Sequence, residues 1–310
     1  MRHLSVFVLA AAGSLLLQIP GIGATLDGKG FPTADAAAQA LVSAAKSDNL
    51  AGLIEILGPS GKAIVSTKDP VADRAARRAF AARADQKMKL VPTRGNPRVK
   101  TLVAGKDDWP LPIPIVEQNG QWYFDSAKGK DEILTRRIGN NELDAIEVCR
   151  GFVEAENDYG EQNRTPNNVP IYAQKIISTP GQHDGLYWPS SGDSDESPIG
   201  EIVAKAIEQG YTNKRDPYRG YYFKVLTGQG PHVSGGERSY LDNDLMTKGF
   251  ALIAWPASYG STGIMTFVVS KSGIVYQKDL GKKTAEIAGA VTTYDPDQTW
   301  TPVSDPKTNP

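Results

Sequence analysis

The sequence predicts an α+β fold, with N-terminal helices and a small antiparallel sheet, then a long helix feeding a C-terminal antiparallel meander. Three observations carry this reading. Small apolar residues recur at helical spacing between Ala34 and Lys87, each run opened by a capping residue. A helical pattern extends from about Lys130 to Tyr159. Beyond Gly220 the pattern becomes short β-branched and aromatic runs separated by Gly and Ser. The boundary between the halves falls near residue 135, giving an N-terminal α+β domain over 25–135 and a C-terminal one over 136–310.

Pro32-Thr33 opens the first helix, with Ala34, Ala37, Ala38, Leu41, Val42 and Ala45 on one face. Asp48 is the expected cap of a second short helix through Leu50, Leu53, Ile54 and Leu57, closed by Gly58-Pro59. Asp69-Pro70 starts a third, because a capping carboxylate precedes a proline suited to the first turn. Strands are expected over Val99 to Val103 and Leu111 to Val116. Asn119-Gly120 then turns the chain into Trp122-Tyr123-Phe124. Prolines 110, 112 and 114 remove ladder donors and place their segment at a sheet edge. Helices followed by a curved sheet are similar in outline to the nuclear-transport-factor-like folds.

The helix from Lys130 is expected to break near Gly139 and resume through Leu143, Ile146, Cys149, Val153 and Tyr159. Ser197 caps a further helix, with Pro198 in its first turn, Ile199, Ile202, Val203, Ala206 and Ile207 on one face, and Gly210 as its stop. Tyr221 to Leu226, Phe250 to Trp255, Ile264 to Val269 and Ile274 to Tyr276 read as strands, the last two joined by a hairpin loop at Ser270 to Gly273. A long helix feeding such a meander resembles a pilin head, although the exposed apolar pilin helix is absent.

At the amino terminus, basic Met1-Arg2-His3 precedes the apolar run Leu4 to Leu17 and the small residues Gly21, Gly23 and Ala24, which is a signal-peptide pattern with cleavage after Ala24. The run falls short of the about 20 apolar residues a membrane span needs. No cysteine stands at the cleavage site, so the mature protein is expected to be periplasmic or secreted, without a stable membrane anchor. Cys149 is the single cysteine, which rules out an internal disulfide. A formal net charge of −1 gives no electrostatic footprint for nucleic acid.

Five stretches carry a family likeness over nearly the whole mature chain: Trp109 to Pro114, Arg136 to Leu143, Asp184 to Pro189, Gly249 to Pro256 and Lys278 to Gly281. Together they resemble the bacterial exported family called domain of unknown function 2950. The resemblance implies compartment and shared architecture, and the family has no established activity or site to carry over.

The chemistry is limited by its supply of residues. Outside the signal peptide the histidines are His183 and His232, with no HExxH or paired CxxC, so no metal and no cofactor is expected. His183-Asp184 has the residue types of a base and its orienting acid, but adjacent residues rarely form that pair productively. The run Asp193-Ser194-Asp195-Glu196 fails as an EF-hand, since position 6 is Pro198 and position 12 is Ala204. Ser43-Ala44-Ala45-Lys46 and Ser47-Asp48-Asn49 mimic motifs of penicillin-recognising serine enzymes, yet lie contiguous on one Ala-rich stretch. A glycosidase-like carboxylate pair is left open.

Arg136 and Arg137 beside Glu142 are anion-binding candidates, because guanidinium forks fit carboxylate and phosphate. The plainer role is to offset a helix C-terminal dipole or pair with an acid across the domain junction. Tyr187, Trp188, Trp255 and Tyr259 are candidates for lining a glycan or peptide groove, with core packing as the alternative for each. The loop His183 to Pro189 is nominated as the binding surface. The expected function is non-catalytic binding of an envelope protein or cell-wall polymer, with a periplasmic hydrolase as the alternative.

Overall fold

The computed structural model describes residues 26–189, 196–200 and 216–304. The leader and most of the helix anticipated from Ser197 to Gly210 lie outside these residues, as do Asp193 to Asp195 of the acidic run.

Helix α1 (Ala34–Lys46) is capped by Thr33, whose hydroxyl accepts from the Ala36 amide at 3.0 Å. The cap of α2 (Leu50–Val65) is Asn49, accepting from Gly52 at 2.9 Å, and not Asp48. Asp48 adopts φ +52° and turns its carboxylate to Arg74 and Arg77. Gly58 (φ +73°) kinks α2, and Pro59 restarts it, since the pyrrolidine ring suits a first turn where no amide donor is required. Asp69 caps α3 (Pro70–Gln86) through the Ala72 amide at 2.9 Å.

The first sheet comprises β1 (Met88–Thr93), β2 (Asn96–Ala104), β3 (Trp109–Pro110), β4 (Ile115–Gln118) and β5 (Gln121–Phe124), ordered β1-β2-β4-β5 with β3 on β2. Strand β1 has no counterpart in the sequence expectation: Met88 to Thr93 is mostly exposed and lacks an alternating apolar pattern. Asn119 and Gly120 turn with φ +54° and +76°, as a tight hairpin requires. The segment Leu111–Pro114 is not a strand. Its prolines deny it a ladder, and Leu111 and Ile113 instead point into the core under α1 and α2. Phe31 exchanges two backbone hydrogen bonds with Trp122, at 2.9 and 2.7 Å, pinning the segment before α1 to β5.

Helix α4 (Ser126–Gln162) is continuous, so the expected break at Gly139 does not occur. One stripe of i, i+3 and i, i+4 steps runs its length: Ser126, Gly129, Ile133, Arg137, Asn141, Ala145, Cys149, Phe152, Glu156 and Tyr159. Its early members face the first core, around Leu57, Ile113 and Phe124. From Ala145 on they enter the second, with Tyr221, Phe250 and Phe267.

That second core packs on the antiparallel sheet β6 (Tyr221–Leu226), β11 (Ala251–Pro256), β12 (Met265–Ser270), β13 (Tyr276–Asp279) and β14 (Thr301–Pro302), whose strands neighbour in that order. The excursion between β6 and β11 carries two short ladders, β7 (Gly228–Gln229) with β8 (Arg238–Ser239) and β9 (Leu241–Asp242) with β10 (Leu245–Met246). Helix α5 (Thr284–Ala290) packs on β11.

Polar side chains hold the seam between the cores. On the first-core side Arg137 donates to the carbonyls of Ala63, at 3.0 Å, and Ile64 at the end of α2, and one turn on Asn141 crosses to donate to Thr262 O at 2.9 Å. Glu142 accepts from the Ile264 and Met265 amides at 2.9 and 3.0 Å. Asp69 accepts from the Gly220 amide at 2.6 Å across 151 residues. Among the described residues no helix is long and apolar enough to cross a membrane.

Candidate functional site

Where α1, α2 and α3 lie over the first sheet, their side chains leave a cavity of about 430 Å³. Leu41, Leu53, Leu57 and Ile113 form its floor and are nearly inaccessible to solvent. The opening lies between α3, which contributes exposed Ala76 and Ala79, and α4, which contributes Arg136 and Asn140. Trp109 and Phe80 stand at its side. The volume falls in the range of about 300–1,000 Å³ typical of small-molecule sites.

Four arginines and one carboxylate, Asp73, line this apolar chamber. Arg77 is fully engaged, with Nη2 on Asp48 at 2.6 Å and Nη1 on Val65 O at 3.0 Å. Arg137 lies deeper; burial pulls its basicity down, partly offset by the charge of Asp73. Burial also pushes the Asp73 carboxyl up, against its bonds from the Thr67 amide and hydroxyl at 2.6 and 3.0 Å. Arg83 and Arg136 are about half-exposed, each held by a single acid: Nη1 of Arg83 on Asp107 and Nε of Arg136 on Glu132, both at 2.7 Å. Their guanidinium carbons approach the Trp109 ring to 5.8 and 5.9 Å.

Of the residues singled out in the sequence, Arg136 and Arg137 therefore reach the cavity. They sit mid-helix, so neither offsets a C-terminal dipole, and Glu142 serves the start of β12 instead. The other candidates lie in the second half with separate partners. His183 stacks on Trp188 at 4.2 Å and 13°. Asp184 accepts from Lys175 Nζ at 2.5 Å and the Thr179 amide at 2.7 Å, which hold its carboxyl down to about 2. Trp188 is buried, edge-on to Tyr159 at 6.5 Å, while Tyr187 is half-buried against the same core. Trp255 packs on Tyr222 at 5.8 Å, and Tyr259 donates to Asp279 at 3.1 Å. Among the described residues no ring contact joins Trp188 to Trp255.

Sequence reasoning missed Asp73, Arg77, Phe80 and Arg83. Their signal was present in the i, i+4, i+7, i+10 spacing, which sets three ionisable side chains and one phenyl ring on the chamber-lining face of α3 where an ordinary core helix has aliphatics. It also missed the pair formed by His232 Nδ1 and Asp295 Oδ2 at 2.8 Å, which raises the imidazole pKa. These two residues are 63 positions apart, and no local motif connects them. Among the described residues no cluster of three or more metal-ligating side chains occurs.

Fold and cavity define a two-core α+β protein with a small-molecule-sized apolar chamber under its N-terminal helices. The chain belongs to the family described as "Protein of unknown function (DUF2950)", which it matches over residues 28–303. No curated protein and no solved structure matches it.

Proposed function

We propose that this is an exported envelope protein that binds a small, largely apolar ligand in the N-terminal cavity without chemically transforming it. The carrying observation is the chamber of about 430 Å³ walled by aliphatic side chains and opening between α3 and α4. Its lining favours binding over hydrolysis: it offers one carboxylate, Asp73, and no histidine, whereas glycosidase-type chemistry needs two facing carboxyls. Export is supported by the basic and apolar pattern of Met1 to Leu17. Capture of an envelope protein or cell-wall polymer through the His183 to Pro189 loop is the weaker reading, since burial of Trp188 removes the loop's largest contact surface.

The test uses the neutral fluorophore N-phenyl-1-naphthylamine with the mature protein. Saturable 1:1 binding that is lost in Ala79→Trp, where an indole fills the exposed mouth, supports the reading. No binding, or binding indifferent to Ala79→Trp, overturns it. Intact-mass measurement of the exported protein checks cleavage after Ala24.

A further inference from the structure

Resting on that cavity reading, we propose that the natural ligand is a single-headed anionic amphiphile, its apolar tail inside the chamber and its carboxylate held between Arg83 and Arg136 at the mouth. Charge distribution carries the inference. The lining holds four guanidinium groups and one carboxylate, and the acids that partner three of them, Asp48, Asp107 and Glu132, stand outside the lining. The chamber therefore sees the cationic side of each pair.

The four arginines differ in what they offer. Arg77 spends both ends of its fork on Asp48 and Val65, and Arg137 spends its terminal nitrogens on the carbonyls of Ala63 and Ile64. Arg83 uses Nη1 alone and Arg136 uses Nε alone, so among the described residues their remaining N–H groups make no hydrogen bond. Both converge within 6 Å of the Trp109 ring, which lines the same chamber. Two like charges brought to one indole repel, and an oxyanion between them converts that repulsion into charge-assisted hydrogen bonds. Behind them the floor is aliphatic and has no donor for a second polar group, which restricts the ligand to one head and an apolar tail.

Dodecanoate and dodecanol share one tail and differ in the head. In competition against N-phenyl-1-naphthylamine at low ionic strength and pH 8, dodecanoate is expected to bind about tenfold or more tightly than dodecanol. In R83Q/R136Q that ratio should fall toward one, with the melting temperature of the variant reporting its fold. Equal affinity of the two probes for the wild-type protein overturns the anionic head and leaves the cavity reading standing. A dodecanoate preference that persists in R83Q/R136Q, or survives Ala79→Trp, also overturns it, because the anion then binds elsewhere. Failure of the neutral fluorophore to bind removes the cavity reading, and with it this proposal.

Discussion

Replacing Glu156 by glutamine tests how the second core tolerates a carboxyl group it fully encloses. Oε2 accepts from the Ala173 amide at 2.8 Å, and Oε1 has no hydrogen-bond partner. Burial pushes the carboxyl pKa up to about 8 from an ordinary 4.5, against the lowering effect of that one amide. Because the folded pKa is the higher, stability is fully present below about pH 4.5 and is lost as pH rises through about 8. The whole loss is roughly 5 kcal/mol, of which about 4 kcal/mol falls between about pH 5 and pH 9. Glutamine resembles the protonated acid in shape and has nothing to ionise. Urea unfolding followed by tryptophan fluorescence, repeated across this range, should show the wild type losing stability relative to Glu156→Gln, with the variant several kcal/mol ahead at pH 9. Parallel pH profiles for the two proteins would refute the reasoning, since every titration the substitution leaves unchanged cancels from their difference.

Trp188→Ala empties a buried site against Tyr159 and His183 and should cost about 3–5 kcal/mol, seen as a marked fall in melting temperature, whereas His183→Ala should leave the fold intact. Cys149 is wholly buried with its thiol pushed up to about 12 by burial, so a thiol reagent should label it only after denaturant is added, and rapid native labelling would contradict its packing. Gly139 lies mid-helix with nothing within 4 Å of a Cβ placed on it, so Gly139→Ala should stabilise the protein by about 0.5–1 kcal/mol in chemical denaturation.

Local signals were legible where a residue type has one physical use. Thr33 and Asp69 cap the helices they precede, Asn119-Gly120 makes its hairpin, and the strands after Gly220 form the expected meander. Legibility failed where distant segments override local preference. Gly139 disfavours helix by about 1 kcal/mol, a cost small beside the burial of the α4 stripe on both sides of it. Asp48 has the chemistry of a cap, but two arginines from α3 claim its carboxylate and leave Asn49 to cap α2. The site was half-visible for the same reason. Arg136 and Arg137 stood out as anion-binding candidates, yet the chamber they border exists only once α3 and the Leu111–Pro114 segment fold beside them. The aromatic loop drew attention by composition, and composition does not distinguish an indole that faces solvent from one that packs.

Helix α4, about 55 Å long at 1.5 Å per residue, presents a single face to both cores. A wall shared in this way ties two neighbours into one cooperative unit: fraying its first turns uncovers Leu57 and Ile113, and fraying its last turns uncovers Phe250. Within about two turns, from Ile133 to Asn141, the same stripe passes from the chamber lining to the clamp on the strand-β12 end of the meander. If the proposed ligand fills the chamber, the expected signature includes slowed hydrogen exchange in amides of β12 that the ligand does not touch, and unchanged β12 exchange on ligand binding would contradict this coupling.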